Sequence, residues 1–284
     1  MRDALSTYHP GVPLAYFACT VVLALVTRQP AFALVSALGA IVCLFLVRDR
    51  DEALATLAWV LPLWALVAVL NPLILGLGST VLFQLGPIVM RWESLAFGIC
   101  SGASLAAVVL WLSCLGACVS SDDLLAMAGG PLPVVSLMLS QVMRLVPQVL
   151  RRGREVLDAQ DANLGERPAA EFAGSRLRSL TVLMAWAMED GITRSDSMRA
   201  RGYVPGARRT SYPRRTLRTR DAVALAFVLV LGVVAIGCAL SCGSYYDFYP
   251  TMQPVVLDAR LVPAVLLVAL PVPVTLGEWL AWRS

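Results

Sequence analysis

Six apolar runs, each close to the length of a bilayer crossing, govern what this chain can fold into. A helix needs about 20 mostly apolar residues to traverse the hydrocarbon core. Runs of that kind lie near 12–28, 31–47, 53–76, 92–119, 221–241 and 260–280. Backbone amides cannot be left unpaired in lipid, so such runs become helices. The composition agrees: 58% of the 284 residues are hydrophobic and 15% charged, with a mean hydropathy of +0.73. Those values lie outside the usual range of a soluble domain. The expected fold class is all-α, a polytopic membrane protein of about six transmembrane helices. Residues 1–119 form the N-terminal helices and residues 221–284 the C-terminal ones. The first run is short enough to resemble a signal-peptide core. No small-residue cleavage site follows it and the next run begins at Pro30, so it reads as a retained helix.

Charge is concentrated between these runs. Sixteen of the 23 Arg, against 10 Asp and Glu, fall between Asp122 and Arg220, and the chain has no Lys. Without Lys there is neither a P-loop nor a Schiff-base lysine, so any ATP hydrolysis that this protein needs happens on another chain. Arg2, Arg48, Arg50, the Arg-rich middle and Arg283 fall on one side of a six-span arrangement. Arg28, Arg91 and Arg260 fall on the other. The positive-inside rule then places both termini and residues 120–220 in the cytoplasm.

The seven cysteines lie in or at the edge of apolar runs. Cys114 with Cys118, and Cys238 with Cys242, have the spacing of one helix face, but no His or carboxylate ligands accompany them. They read as small packing residues, and no metal or other cofactor is implied. The single histidine, His9, precedes Pro10 and suits a turn. Gly98 and Gly102 form G-x-x-x-G in the fourth run, which lets helices approach closely in lipid. Residues 71–87 read as an external loop or re-entrant turn. Tyr245, Tyr246, Phe248 and Tyr249 suit aromatic anchoring at the membrane interface.

Residues 120–220 form the cytoplasmic domain. Ser120-Ser121-Asp122-Asp123 is a helix start with acidic residues in its first turn, and Gly129-Gly130-Pro131 breaks the chain. Val135, Met138, Leu139, Val142, Leu145, Val146 and Val149 follow helical spacing, so a long amphipathic helix begins there, too polar to span. Gly165 and Pro168 end it. A second helix is expected from about Glu171 to Gly191, then a polar step from Thr193 to Ser197, then Met198-Arg199-Ala200-Arg201-Gly202-Tyr203.

At these residues the chain resembles the transmembrane T component of energy-coupling factor (ECF) transporters, a class of ABC importers for vitamins and metal ions such as cobalt and nickel. The likeness runs from His9-Pro10 to the span after Arg220. It includes Asn71-Pro72, Gly78-Ser79-Thr80-Val81-Leu82-Phe83, Ser120-Ser121-Asp122-Asp123-Leu124-Leu125 and Arg144-Leu145-Val146-Pro147. The family's two Ala-Arg-Gly signatures end the two coupling helices that dock on paired ATPase subunits. The second stands here intact as Ala200-Arg201-Gly202, followed by the expected Tyr203. The first is degenerate: Ala159-Gln160 is present, but Ala162-Asn163-Leu164-Gly165 replaces Ala-Arg-Gly.

The resemblance implies a non-catalytic subunit in a bacterial cytoplasmic membrane. Its partners would be two ABC-type ATPases, a small membrane-embedded substrate-binding subunit and the lipid bilayer, with no nucleic acid. Many members of the family end soon after the span that follows the coupling domain, whereas this chain adds another apolar run, Leu261 to Leu276. Two rival classes are an integral membrane enzyme and a lipid-binding scaffold with a basic cytoplasmic domain. The enzyme would need an interfacial cluster of His or carboxylates. Glu155, Asp158, Asp161, Glu189 and Asp190 read instead as solvated helix faces.

Overall fold

The computed structural model describes residues 8–26, 29–75, 78–85, 88–128, 133–164, 169–204, 218–243, 246, 248 and 259–273. Along the chain these form α1 (Gly11–Val26), α2 (Pro30–Val47), α3 (Arg50–Leu75), strands β1 (Val81–Leu85) and β2 (Ile88–Arg91), α4 (Trp92–Cys118), α5 (Ser121–Ala128), α6 (Pro133–Leu164), α7 (Ala169–Ala200), α8 (Thr219–Gly243), a 3-10 turn (Ala259–Leu261) and α9 (Val262–Ala269). The architecture is helical, and the β1–β2 hairpin is the one sheet among the described residues. The chain divides into two compact units. One comprises Met1–Ser120 with Arg215–Ser284, the other Ser121–Arg214.

Local sequence explains where the helices of the first unit start. His9 Nδ1 accepts a hydrogen bond from the Gly11 amide (3.2 Å), which caps α1. Pro30 opens α2 at a position whose amide would lack a helical partner in any case. Asp51 and Glu52 sit in the first turn of α3, where the helix dipole favours negative charge. Asp221 accepts from the Arg218 amide (3.2 Å) while its own amide donates to the Arg218 carbonyl (2.9 Å), which fixes the start of α8.

Four helical stretches are long and apolar enough to cross a membrane: Pro30–Val47, Arg50–Ile74, Trp92–Cys118 and Thr219–Cys242. This is a membrane protein. The outer two of the six expected runs form shorter apolar helices, Gly11–Val26 and Ala259–Pro273. The 16 residues of α1 extend about 24 Å, against a hydrocarbon core of about 30 Å. Residues 274–280 of the last run lie outside the described residues, as do 27 and 28 of the first.

α4 is the centre of this unit and packs on α1, α2 and α3, while α9 bridges α8 and α2. Trp111 of α4 is fully buried. Its indole Nε1 donates to Ser36 Oγ of α2 (3.1 Å), and its ring lies 5.9 Å from Tyr16 and 6.0 Å from Phe17 of α1. Tyr16 in turn donates to the Val268 carbonyl of α9 (3.5 Å). Trp111 and Tyr16 thereby tie four helices together.

The G-x-x-x-G pair faces α3. A Cβ on Gly98 would stand 2.8 Å from the Ala68 carbonyl oxygen, and one on Gly102 would stand 3.0 Å from Trp64. Gly39 similarly lies under Val268, and Gly232 under Cys19. All seven cysteines are free thiols, and Cys43, Cys114, Cys118 and Cys242 are buried.

Two details differ from the sequence expectation. The loop before α4 is a β-hairpin, in which Leu85 pairs with Ile88 and Phe83 with Met90. Its base is clamped by Glu93, which is only 3% exposed. The Glu93 carboxylate accepts from Ser79 Oγ (3.0 Å), the Thr80 amide (3.1 Å) and Thr80 Oγ1 (2.7 Å). Arg91 donates to the Gly78 carbonyl at 2.7 Å. Gly78 has φ +138°, and a Cβ there would meet the Glu93 carboxylate. Secondly, Tyr246 and Phe248 are buried rather than presented to a membrane interface. Phe248 stacks edge-on against Tyr246 (5.0 Å) and against Phe97 of α4 (5.2 Å). Tyr245 and Tyr249 lie outside the described residues.

Close packing at Gly98 makes a simple prediction. Gly98→Ala should destabilise the protein by about 1–3 kcal/mol, because the added methyl meets a helix backbone. Gly116→Ala on the same helix, where nothing lies within 4 Å of a new Cβ, should leave stability unchanged or raise it. Thermal melts of the two variants in detergent check the contrast.

Candidate functional site

The second unit is built on two 32-residue helices, α6 and α7. They run antiparallel, because contacts that rise in number along α6 fall along α7. Gln141 Nε2 approaches Met198 Sδ (3.5 Å), and Arg194 donates to the Gln148 side-chain oxygen. The Arg152 guanidinium lies over the Trp186 ring (5.7 Å), and Gly153 faces Leu183. Arg194 is also paired with Asp190 at 2.6 Å, and Arg152 with Glu155 at 2.9 Å. Residues 193–197, expected as a non-helical step, are helical. Thr193 Oγ1 bonds the Glu189 carbonyl (2.9 Å), and the Asp190–Arg194 pair spans one turn of the same helix. Their polar side chains therefore support the helix locally rather than interrupt it. Gly191 lies within the helix, with nothing within 4 Å of where a Cβ would stand.

The Ala200-Arg201-Gly202-Tyr203 signature is the end of α7. The Tyr203 amide donates to the Met198 carbonyl (3.0 Å) and the Gly202 amide to the Arg199 carbonyl (2.9 Å). Gly202 adopts φ +80°. This is the Schellman arrangement, in which a left-handed residue closes the helix and satisfies two of its last carbonyls. Glycine is needed there because a Cβ penalises left-handed backbone. Arg201 takes the capping position with its amide bonded at 3.2 Å to Ser197 and 3.1 Å to Met198. Its side chain is exposed and makes no ion pair or hydrogen bond among the described residues. A rigid, capped helix end thus presents a planar cation outward. Chemically it suits a bidentate carboxylate acceptor on another molecule.

The degenerate signature has a different setting. Ala159, Gln160, Ala162 and Asn163 all lie within the last turns of α6, which continues to Leu164. Ala159 and Ala162 are exposed, and Gly165 lies outside the described residues. The two signatures are not brought together. The end of α7 lies beside Gln141, so the Asn163 region stands about 33 Å away at 1.5 Å per residue of α6.

The helix pair is two-faced. At about 100° per residue, the exposed Val142, Val146 and Leu150 lie roughly a third of a turn past the contact line on α6. Exposed Met184, Met188 and Ile192 lie a similar angle past it, in the same sense, on α7. In an antiparallel pair equal offsets fall on one side, so the stripes form one apolar surface. Met184 is 69% and Met188 71% exposed. Arg144, Arg151 and Asp158 on α6, and Glu189 and Asp196 on α7, are displaced in the opposite sense and make the other side charged, while Arg199 at the end of α7 falls in line with Ile192. Among the described residues no group of three or more His, Cys, Asp or Glu could hold a metal ion.

Sequence reasoning missed Gln141, Gln148, Trp186 and Arg194, which set the register between the helices. Isolated polar or aromatic residues carry no periodic signal that would mark them. No protein-family model matches the chain, and no curated protein matches it.

The two residues of the signature should respond differently to mutation. Gly202→Ala forces a Cβ into left-handed backbone at a cost of about 1–2 kcal/mol, and hydrogen exchange at the amides of 201–203 should accelerate. Arg201→Ala should leave that protection unchanged, because only its backbone takes part in the cap.

Proposed function

We propose that this chain is the transmembrane coupling subunit of an ECF-type ABC importer. In this reading it crosses a bacterial cytoplasmic membrane six times, with both termini in the cytoplasm. The short apolar helices Gly11–Val26 and Ala259–Pro273 complete the spans by locally thinning the bilayer. The unit between α4 and α8 is the cytoplasmic coupling domain. Two nucleotide-binding subunits hydrolyse ATP, and a separate small membrane protein binds the vitamin or metal ion. This chain catalyses nothing and carries the motion between them.

The observation that carries the reading is the capped end of α7. Arg201 is held out at a fixed helix terminus by its own backbone and neutralised by nothing among the described residues. A desolvated Arg–carboxylate contact is worth about 1.5–3 kcal/mol net, enough to matter to an interface without being needed for the fold. The separation of the two signatures along α6 also suits two docking points on two subunits. Asn163 cannot make the charged contact, so the two points are unequal, as two non-identical ATPases would allow.

Loss of the chain from its native cell should abolish uptake of one labelled substrate from a panel of vitamins, cobalt and nickel. Arg201→Ala should reduce that uptake at least tenfold, corresponding to about 1.4 kcal/mol, with Asn163→Ala the milder change. Unchanged uptake across the panel would refute the reading, and Asn163→Ala proving the more damaging would refute the asymmetry.

A further inference from the structure

The apolar side of the α6–α7 pair is not used by the cap at Arg201, nor by the contacts that hold the two helices together. We infer that this side is seated on an anionic lipid surface, with the chain's own bilayer as its occupant. The inference does not rest on the transporter reading.

Three observations bear on the occupant. First, the segment is leashed to the membrane. Only Val119 and Ser120 separate α4 from α5, and both α4 and α8 are long and apolar enough to span. Neither α6 nor α7 meets that standard, so the segment is tethered to a span at each end. Secondly, the exposed surface combines aliphatic and thioether side chains, Val142, Val146 and Leu150 with Met184, Met188 and Ile192. Arg144, Arg151, Asp158, Glu189 and Asp196 lie on the opposite side, and Arg199, alone of the exposed charges on α7 among the described residues, falls in line with Ile192. On α6, the more strongly amphipathic of the two, that division is the signature of a helix lying in an interface plane rather than crossing it. Thirdly, residues 201–220, which follow α7 and lead into α8, contain seven Arg and no Asp or Glu. Basic runs beside a span are attracted to anionic headgroups. Apolar area and positive charge therefore favour the same surface, and neither needs a second protein.

The test uses the purified full-length chain in vesicles of phosphatidylcholine with phosphatidylglycerol, and in phosphatidylcholine alone. The photoreactive residue p-benzoylphenylalanine replaces Val142, Met184, Met188 or, on the charged side, Glu189, one position at a time. All four side chains are exposed, so the substitutions leave packing intact. Intact-mass measurement after irradiation should show lipid adducts from 142, 184 and 188 and none from 189. The yield should fall several-fold without phosphatidylglycerol. Adducts to protein at the apolar positions, or none at all, would overturn the inference, since the face would then belong to another chain or to water. Equal yields in both vesicle types would overturn the part assigned to the basic run.

Discussion

Helices in a bilayer gain little by hiding apolar surface from one another, because lipid tails are as apolar as leucine. What holds them is close packing and the few hydrogen bonds that have no alternative partner. In this protein both converge on Trp111. Its ring packs against Tyr16 and Phe17 of α1, and its indole donates to Ser36 of α2. Tyr16 carries the contact on to the backbone of α9. Gly39 lets α2 and α9 approach under Val268, and Gly232 does the same for α8 against Cys19 of α1. The two helices too short to fill a bilayer by themselves, α1 and α9, are the ones this node secures.

The segment between α4 and α8 follows other rules. Among the described residues it has no aromatic node, and its two long helices are aligned by a line of polar and cation–π contacts from Gln141–Met198 to Arg152–Trp186. Such a pair spends little of its surface on itself. One side is left apolar and one charged, and the far ends of α6 and α7 stand apart. Where the chain must stop a helix cleanly, it uses Gly202 in left-handed backbone. The backbone of Arg201 is thereby fixed, while its exposed side chain has no hydrogen bond or ion pair among the described residues. The coupling role proposed above rests on that exposed helix end.

Much of this was legible in the residues. Apolar length alone located the long helices, and the period of Val135 to Val149 located α6. The end of α7 could be read at Ala200-Arg201-Gly202, since a glycine after a periodic run is a stop signal with a physical cause. Other features resisted for equally physical reasons. Gly191 and the polar residues 193–197 look like a break, yet the Asp190–Arg194 pair and the Thr193 back-bond keep α7 continuous. The β1–β2 hairpin is too short to announce itself in a glycine-bearing loop, and its clamp by Glu93 depends on residues a dozen positions away. Tyr246 and Phe248 carry the composition of an interfacial belt, and only their stacking on Phe97 shows them to be packing residues. The register of α6 on α7 rests on tertiary contacts and has no counterpart in periodicity.

The most direct test of the coupling account is to release the tagged protein from its native membrane in mild detergent and identify its companions by mass spectrometry. The account predicts two nucleotide-binding subunits and one small hydrophobic protein beside this chain. It also predicts that Arg201→Glu removes the nucleotide-binding subunits while leaving the chain folded. Recovery of the chain alone or with lipid only, unchanged by Arg201→Glu, would contradict it.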